Sequence, residues 1–410
     1  MADTAKMTGT ERILSAGRSL HVTENGVYYG AGTPGMFDEY VDFINYVFGF
    51  NGNSDDFKKL LPKLYRYELD PAGNSYVAVE NGKIRAAVGA FDHDIVVCGK
   101  LLKTRGIGNV AVHPYERSRG FMRKLMNMAV DGMVADGVAL SVLGGRRQRY
   151  NYFSYDKLGS EISMSFNPDN IRHTFGPSYS RRFTFRRISR GDEDLLRDVR
   201  RVSESQPLHA VRNGANYFDI ITSWRQTVWA GFDGDVFAGY AVEKNGSVSE
   251  LLLDASRNAE VAEFVRDLFD ATDRGSLTVR LPVWLDSYIE KLIGICEHYS
   301  LGPSKSFSVL DYEKVCGAFF ELESTYRRIA DGRLTLAIDG RGGKEKITLE
   351  SEGGVPRVFA AGETDADLEL SHLEAMNLLF APYSTARAKL PANIASWLPL
   401  PLYLFYSDAV

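Results

Sequence analysis

One charged turn, between a strand-like run and a helix-like run, has residues suited to binding phosphates. It reads Val110-Ala-Val-His-Pro-Tyr-Glu-Arg-Ser-Arg-Gly-Phe-Met-Arg-Lys-Leu125. A helix start offers backbone N–H groups without intrahelical partners, and the helix dipole attracts anions there. Arg117, Arg119 and Arg123 add positive charge, and Gly120 would let phosphates approach the backbone closely. Strand, turn, glycine and helix in this order predict a pyrophosphate-binding loop rather than a solvated basic helix start.

The elements that would hold this loop belong to a predicted first domain at residues 21–165. Two β-rich runs flank Asn81-Gly82, a pair that is typical of a tight β-hairpin. Apolar residues from Phe121 to Ala135 recur with helical spacing, and Val138 to Leu143 has the composition of a buried strand. The predicted order is therefore hairpin, strand, loop, helix and strand.

A second region, residues 166–311, repeats this order but lacks the arginine-glycine loop. Its predicted hairpin, helix and strand lie at residues 235–253, 259–271 and 276–281. We interpret this region as a divergent copy of the first domain that serves as a scaffold rather than as a second active site. Residues 312–410 predict a third, α+β unit of short strands and a helix that ends in an apolar tail.

The composition limits the class of protein. A chain of 410 residues exceeds what one hydrophobic core usually supports. Its 48 basic and 53 acidic residues give a net charge of −5, which excludes a generally basic nucleic-acid coat. Three widely spaced cysteines, Cys98, Cys296 and Cys316, favour a reducing compartment. Residues 1–20 predict a leader rather than a signal peptide, and no apolar run is long enough for a membrane span. We expect a soluble, cytoplasmic protein without membrane insertion.

The loop resembles the pyrophosphate loop of the GNAT acyltransferase superfamily, which reads Arg/Gln-x-x-Gly-x-Gly/Ala. Arg117 to Met122 matches this pattern except at the last position, where bulky residues are typical of the Eis-like (enhanced intracellular survival) acetyltransferases. The three-part layout is similar to that branch as well. The resemblance implies an α+β fold with tandem GNAT domains, each a central mixed, mostly antiparallel sheet flanked by helices. A C-terminal sterol-carrier-protein-like α+β domain would follow, and the family implies a homohexamer.

The same resemblance implies the site residues. Tyr150 to Tyr155 resembles the family's Tyr-x-x-Phe-Gly-Tyr, with Ser154 in the glycine position, and this places Tyr150 as the general acid. The segment at residues 397–410 resembles the family's terminal segment, which would offer the α-carboxylate of Val410 as the general base. The implied acetyl-CoA-binding positions are Val110, Ala111, Val112, Arg117, Ser118, Arg119, Gly120, Phe121, Met122, Arg123, Gly145 and Arg146.

The chemistry of acyl transfer can be weighed separately from the family. Transfer from a thioester to an amine needs a base for the nucleophile and a proton source for the departing thiolate. Residues 107–112 contain no acidic side chain, so the base must come from elsewhere. Asp92, Asp94 and His113 are internal candidates, and the chain terminus is another. A neutral tyrosine, whose reference pKa is about 10, suits the role of proton source.

Three sets of residues allow two interpretations each. Three arginines could contact phosphates or only solvate a loop: Arg146, Arg147 and Arg149. Four aromatic residues could fill the core, which we favour, or line an acceptor pocket: Tyr217, Phe218, Trp224 and Trp229. Five acidic residues could form a solvated face, which we favour, or an acidic acceptor cleft: Asp38, Glu39, Asp42, Asp55 and Asp56.

The sequence therefore predicts an acetyl-CoA-dependent N-acetyltransferase that works by direct transfer in a ternary complex. The acceptor would be a primary amine of an aminoglycoside- or polyamine-like small molecule or of a peptide. We expect no metal, because the seven histidines show no paired spacing, and no nucleic-acid partner. Two other functions stay open: a carrier of lipids or apolar ligands, and a CoA-sensing regulatory protein without turnover.

Overall fold

The computed structural model describes residues 21–52 and 55–410. The predicted leader at residues 1–20 lies outside the described residues. The strands, numbered in chain order, are β1 (Val22–Glu24), β2 (Val27–Ala31), β3 (Ser75–Glu80), β4 (Lys83–Asp92), β5 (Ile95–Val97), β6 (Lys100–Leu102), β7 (Thr104–Val112), β8 (Leu140–Leu143), β9 (Asp156–Leu158), β10 (Glu161–Phe166), β11 (Phe183–Arg187), β12 (Leu208–Ala210), β13 (Thr227–Asp233), β14 (Val236–Lys244), β15 (Ser247–Leu253), β16 (Leu277–Pro282), β17 (His298–Gly302), β18 (Lys305–Val309), β19 (Gly332–Gly340), β20 (Gly343–Glu352), β21 (Val355–Ala360) and β22 (Leu368–Ser371).

The α-helices are numbered in the same way. They are α1 (Phe37–Phe50), α2 (Phe57–Leu60), α3 (Phe121–Ala135), α4 (Arg147–Tyr150), α5 (Pro168–Phe175), α6 (Glu193–Glu204), α7 (Tyr217–Ile221), α8 (Val261–Thr272), α9 (Asp286–Ile293), α10 (Tyr312–Ser324), α11 (His372–Phe380) and α12 (Ala392–Ala395). In the described part of the chain, no helix has the length and apolar character needed to cross a membrane.

The first sheet carries the arginine-glycine loop. Its strand order is β1-β2-β3-β4-β7-β8-β18-β9, in which β7 and β8 are parallel and the other neighbours are antiparallel. Asn81 and Gly82 both have positive φ, as a two-residue hairpin turn requires, so the predicted hairpin is confirmed. The apolar stripe of α3 packs on one face of this sheet and that of α1 on the other, which follows from their helical spacing.

The second sheet repeats the order that the sequence predicts. Its strands are arranged β11-β13-β14-β15-β16-β10-β17, and β15 and β16 are the parallel pair. α8 covers β11, where Phe264 packs edge-on against Phe183 and Phe185. Together with the first sheet this confirms the predicted mixed α+β fold class and is consistent with tandem copies of one fold.

The two sheets exchange strands. β10 lies between β16 and β17 in the second sheet, although it precedes most of that region in the chain. β18 lies between β8 and β9 in the first sheet, where Ser306 pairs with Leu143 and Lys305 with Leu158. Sheet membership therefore does not follow the simple chain order on which the predicted boundaries near residues 165 and 311 are based.

A small sheet, β12-β5-β6, joins strands of the first and second regions. The last part of the chain forms a four-stranded sheet, β21-β20-β19-β22, covered by α10 and α11. The tail after α12 then returns to the body of the protein. Trp397, Leu400 and Leu402 are fully buried there, and Leu402 accepts a hydrogen bond from the Ser160 amide. This tail is what delivers the end of the chain to β7.

Candidate active site

The arginine-glycine loop presents an uncapped helix start. Ser118 and Gly120 have φ of 69° and 82°, so the chain turns sharply twice before α3 begins. No side chain caps this helix, and its first turn contains no acidic residue. The first backbone N–H groups of α3 are therefore available to an anion, as the sequence predicts.

A groove of about 1100 Å³ lies along this loop. The predicted acetyl-CoA-binding residues that line it are Val110, Val112, Arg117, Ser118, Gly120, Phe121, Met122, Arg123, Gly145 and Arg146. The remaining two, Ala111 and Arg119, do not. Arg117 is held by Asn51 rather than by a carboxylate, so its charge is not neutralised within the described part of the chain.

Physical reasons explain why the side chains of Ala111 and Arg119 do not line the groove. The Ala111 side chain points to the other face of β7, where it is buried in the core beneath α1. The Arg119 guanidinium donates to Glu80 and Glu116 and stacks on the Phe121 ring, 4.7 Å from its centroid. These contacts direct the guanidinium away from the groove.

The parallel strands β7 and β8 separate next to the loop. Their pairing runs from Thr104 and Leu140 to Ile107 and Leu143; beyond that point β8 ends while β7 continues. A bulge against β4 follows, with Asn109 at a φ of 48°. The separation opens a slot between the two strands, and backbone groups of β7 on that side have no strand partner in β8.

A second cavity, of about 720 Å³, lies beyond this slot. Val110, Arg149 and Tyr150 line both the groove and this cavity, so the two spaces meet at these three residues. The cavity size is within the usual range for a small-molecule site. Its wall also includes Trp224 of the second region and Val410, and hence residues distant in sequence complete it.

Tyr150 sits at the junction in a fixed position. It is 7% exposed, and a Cβ added at Gly145 would lie 2.3 Å from its ring. Glycine is therefore required beside the ring. Burial raises the pKa of Tyr150, opposed in part by Arg149, so the phenol keeps its proton at neutral pH. The neighbouring Phe153 and Tyr155 are buried core residues, as we interpret them from the sequence.

Val410 lies directly against β7. A Cβ at Gly106 would be 2.4 Å from the Val410 Cγ2 atom, and one at Gly108 would be 3.2 Å from its carboxyl carbon. Lys63 donates to the carbonyl oxygens of Ser407 and Ala409 at 2.6 and 2.7 Å. The indole of Trp224 also donates to the Ala409 carbonyl, at 3.1 Å. These contacts hold the last residue at the edge of the cavity.

A buried ion cluster fixes the same segment from the other side. Arg212 donates to both carboxylate oxygens of Asp408 and to both of Glu250, at 2.8 to 3.0 Å. All three side chains are almost fully buried. Burial acts to raise the pKa of Asp408, but Arg212, with Lys63 and His93, holds that pKa below its ordinary value. Asp408 therefore stays ionised and tied down two residues before Val410.

The other candidate bases lie away from the cavity wall. Asp92 pairs with Arg105, and Asp94 accepts a hydrogen bond from the Thr104 amide. His113 accepts from the Tyr115 amide at the start of the loop. None of the three candidates lines the cavity, and the only side-chain carboxylate in its wall, among the described residues, is that of Glu161.

The structure also shows where the three sets of residues with two interpretations lie. Arg146 and Arg149 line the groove, whereas Arg147 pairs with Asp156. Trp224 lines the cavity, whereas Tyr217 and Trp229 are buried core residues, and Phe218 packs against that core. None of the five acidic residues of the proposed acidic cleft lines the cavity. Among the described residues, no group of histidines, cysteines and carboxylates could hold a metal ion.

Sequence reasoning missed Lys63, Arg212 and Asp408, which position the end of the chain. It also missed the lysines of the cavity wall, described below. No motif marks these residues, because the contacts that define their roles join distant parts of the chain.

Comparisons with known proteins agree with this geometry. Residues 29–162 match the family described as acetyltransferase (GNAT) domain. A search of curated protein sequences found no match. Among solved structures, a GCN5-related N-acetyltransferase from Kribbella flavida is 16% identical with a TM-score of 0.63, and the alignment covers 92% of this chain and 97% of that one. A probable N-acyltransferase from Enterococcus faecalis V583 gives the same four values.

The Eis1 protein from Mycobacterium abscessus also shares the fold, with 12% identity and a TM-score of 0.58 over 91% of this chain and 96% of that one. At these identities the likeness concerns the fold alone. The family match therefore concerns residues 29–162, and the shared fold extends over most of the chain.

Proposed function

We propose that this protein transfers an acetyl group from acetyl-CoA to a primary amine, directly and within a ternary complex. The single observation that carries the proposal is the meeting of the anion-binding groove and the small-molecule cavity at Val110 and Tyr150, with Val410 in the cavity wall. An acetyl donor bound in the groove and an amine bound in the cavity would meet at this junction.

The groove fits acetyl-CoA, which would supply an activated acyl thioester. The uncapped start of α3 and the arginines Arg117, Arg123 and Arg146 suit its phosphates. The slot between β7 and β8 suits an extended arm, because a narrow chain can pair with the free edge of β7. We propose that a backbone N–H of Val110 to Val112 donates to the thioester oxygen.

Tyr150 is proposed as the general acid. Its buried phenol remains protonated at neutral pH and lies where the two spaces meet, so it can give a proton to the departing thiolate. The α-carboxylate of Val410 is proposed as the general base, because an α-carboxyl with a reference pKa of about 3.5 is ionised near neutrality. Glu161 is less suited, since Arg280 holds its carboxylate at 3.1 Å.

Several broader features are part of this proposal. They are an Eis-like arrangement, a division at residues 21–165, 166–311 and 312–410, a sterol-carrier-protein-like third domain, a homohexameric assembly and a cytoplasmic location. The support for the arrangement is the fold shared with Eis1 from Mycobacterium abscessus over 91% of this chain.

The proposal is tested by thiol release from acetyl-CoA in the presence of a panel of primary amines. Tyr150→Phe should lower kcat by about 100- to 10,000-fold, because it removes the proton donor. Two residues added after Val410 should have a similar effect, because they move the carboxylate out of the cavity. Tyr383→Phe, an exposed tyrosine elsewhere, is the matched control and should leave kcat unchanged.

Calorimetry with acetyl-CoA separates binding from chemistry. Unchanged affinity in Tyr150→Phe and in the extended chain would place both effects on the transfer step. Full activity in the extended chain would refute Val410 as the base. Tight binding of acetyl-CoA without thiol release for any amine would favour a CoA-sensing regulatory role instead.

A further inference from the structure

The cavity beyond the slot has a strongly basic wall. Its charged side chains come from β9, β10, β14, β16 and β18 and from the short helix α4. They are Arg149, Lys157, Glu161, Lys244, Arg280 and Lys305. Five of these are cations, and one is an anion. The second sheet, which has no arginine-glycine loop, thus supplies part of the wall of the acceptor space.

The single side-chain anion is already engaged. Glu161 accepts from Arg280 at 3.1 Å, and the Arg280 Nε also donates to Ser247. By contrast, Lys157, Lys244 and Lys305 form no ion pair with any carboxylate that the structure describes. Even when the carboxylate of Val410 is included, cations outnumber anions in the wall.

Unpaired cations in a partly enclosed space are costly. Burial lowers the pKa of Lys305 to about 8, even though Glu161 and Asp408 act to raise it. Burial lowers the pKa of Lys157 as well. A buried ammonium group is stable when an anion lies beside it, and here the chain provides too few. A negatively charged ligand would supply the anion that these ammonium groups lack.

This wall does not fit the acceptors that the sequence suggested. An aminoglycoside or a polyamine carries several positive charges, and the cavity would repel them. An amine that also carries an anionic group complements this cavity at both ends. Its anionic group can bind the lysines, and its amine can approach the carboxylate of Val410.

We propose that the acyl acceptor is a small primary amine that also carries a carboxylate or phosphate group, bound by Lys157, Lys244 and Lys305. This inference rests on the proposed acyl transfer and names its substrate class. In the ternary complex, the anionic end lies at the three lysines and the amine nitrogen at Val410 and Tyr150. The nitrogen attacks the thioester carbonyl, its proton passes to Val410, and the CoA sulfur leaves with a proton from Tyr150.

The experiment uses matched pairs of amines on the full-length protein. The pairs are O-phosphoethanolamine with ethanolamine and 4-aminobutyrate with butylamine, and spermidine serves as the polycation. We expect kcat/KM to be at least about tenfold higher for the anionic member of each pair, because hydrogen bonds to charged groups contribute on this scale. Lys244→Gln and Lys305→Gln should remove this preference. Lys344→Gln, an exposed lysine of β20, should not.

A binding measurement makes the test independent of turnover. Calorimetry follows O-phosphoethanolamine titrated into the protein saturated with free CoA. The dissociation constant should rise at least about tenfold in Lys244→Gln and in Lys305→Gln but not in Lys344→Gln. Using two lysine variants protects the test against the misfolding of one.

The outcomes separate the two proposals. Lysine-dependent binding of O-phosphoethanolamine without thiol release for any amine would retain the anionic ligand and refute acyl transfer. Acyl transfer with equal use of both members of each pair, or with a preference for spermidine, would retain the transferase and refute the anionic acceptor. Binding that is unchanged in both lysine variants would also overturn the inference.

Discussion

The last residue of the chain occupies space that two glycines of β7 leave free. Because a Cβ at Gly106 would lie 2.4 Å from the Val410 Cγ2 atom, the Gly106→Ala variant must displace Val410. We expect kcat to fall at least about tenfold, since a shift of about 1 Å in a reacting group has effects of this size. The affinity for acetyl-CoA should stay the same. Steady-state kinetics and calorimetry measure the two quantities.

A second substitution provides the control. Val410→Ala shortens the side chain that Gly106→Ala would strike but keeps the α-carboxylate. The double variant should therefore recover most of the kcat that Gly106→Ala loses. If the double variant is as slow as the single one, the loss is not caused by the steric contact with Val410.

The charge of Lys305 makes acceptor binding sensitive to pH. Burial lowers its pKa to about 8; Glu161 and Asp408 act to raise that pKa, and Lys157 and Arg280 to lower it further. Below this pKa the ammonium is charged, and as pH rises through it the charge is lost. The KM for O-phosphoethanolamine should therefore increase several-fold between about pH 7 and pH 9.5.

The Lys305→Arg variant is the control, since arginine keeps its charge over this whole range. The rise in KM should be absent in that variant. An equal rise in both proteins would assign the pH dependence to the amine or to a different group of the cavity.

At the scale of elements, the segment that ends at Val410 depends on a loop after β12. Arg212 of that loop pairs with Asp408 of the tail and Glu250 of β15, and all three are buried. Arg212→Ala would leave two buried carboxylates without a cation. We expect the free energy of unfolding to fall by about 3–5 kcal/mol. Urea unfolding followed by circular dichroism measures the change.

An exposed arginine of α6 is the comparison for this prediction. Arg200 pairs with Glu204 one turn away, on the surface of that helix. Arg200→Ala should cost less than about 1 kcal/mol, because solvent screens the pair. A loss for Arg212→Ala no larger than this would mean that the buried cluster does not anchor the tail.

The parts of the fold that the sequence predicts are those with local signals. The hairpin at Asn81-Gly82, the glycine before α3 and the apolar stripe of that helix each depend on residues close in the chain. The Arg212 cluster has no such signal, since its partners lie 38 and 196 positions away. Arg119 is a second residue whose contacts the local sequence does not reveal. Its type and position suit a phosphate, but its guanidinium forms an ion pair with Glu80 of β3.

At the scale of the whole molecule, the chain crosses between its two large sheets twice, each time within a short turn. β9 of the first sheet leads through Gly159-Ser160 into β10 of the second, and β17 of the second leads through Pro303-Ser304 into β18 of the first. A short turn therefore joins a strand of one sheet directly to a strand of the other at each crossing. The residues of β18 pair with strands more than 145 positions earlier in the chain, so their own sequence does not indicate which sheet they join.

This exchange predicts that the two sheets unfold together. Phe307 of β18 is fully buried and pairs with Val142 and Asp156 of the first sheet, although the strand that precedes it in the chain, β17, belongs to the second. Phe307→Ala should lower the free energy of unfolding by about 3–5 kcal/mol through loss of core contacts. Leu301→Ala, an exposed leucine of β17, is the control and should change it by less than about 0.5 kcal/mol.

Two probes report on different parts of the chain. Three tryptophans, Trp229, Trp284 and Trp397, lie in the cores of the second and third regions, so in a Trp224→Phe background the fluorescence follows those regions. The binding of acetyl-CoA reports on the folding of the first region. In urea, Phe307→Ala should shift both transitions to lower concentration by the same amount, because β18 links the two sheets. A shift of one transition without the other would mean that the two sheets unfold separately. The domain that carries the arginine-glycine loop would then be independent of the region that follows it.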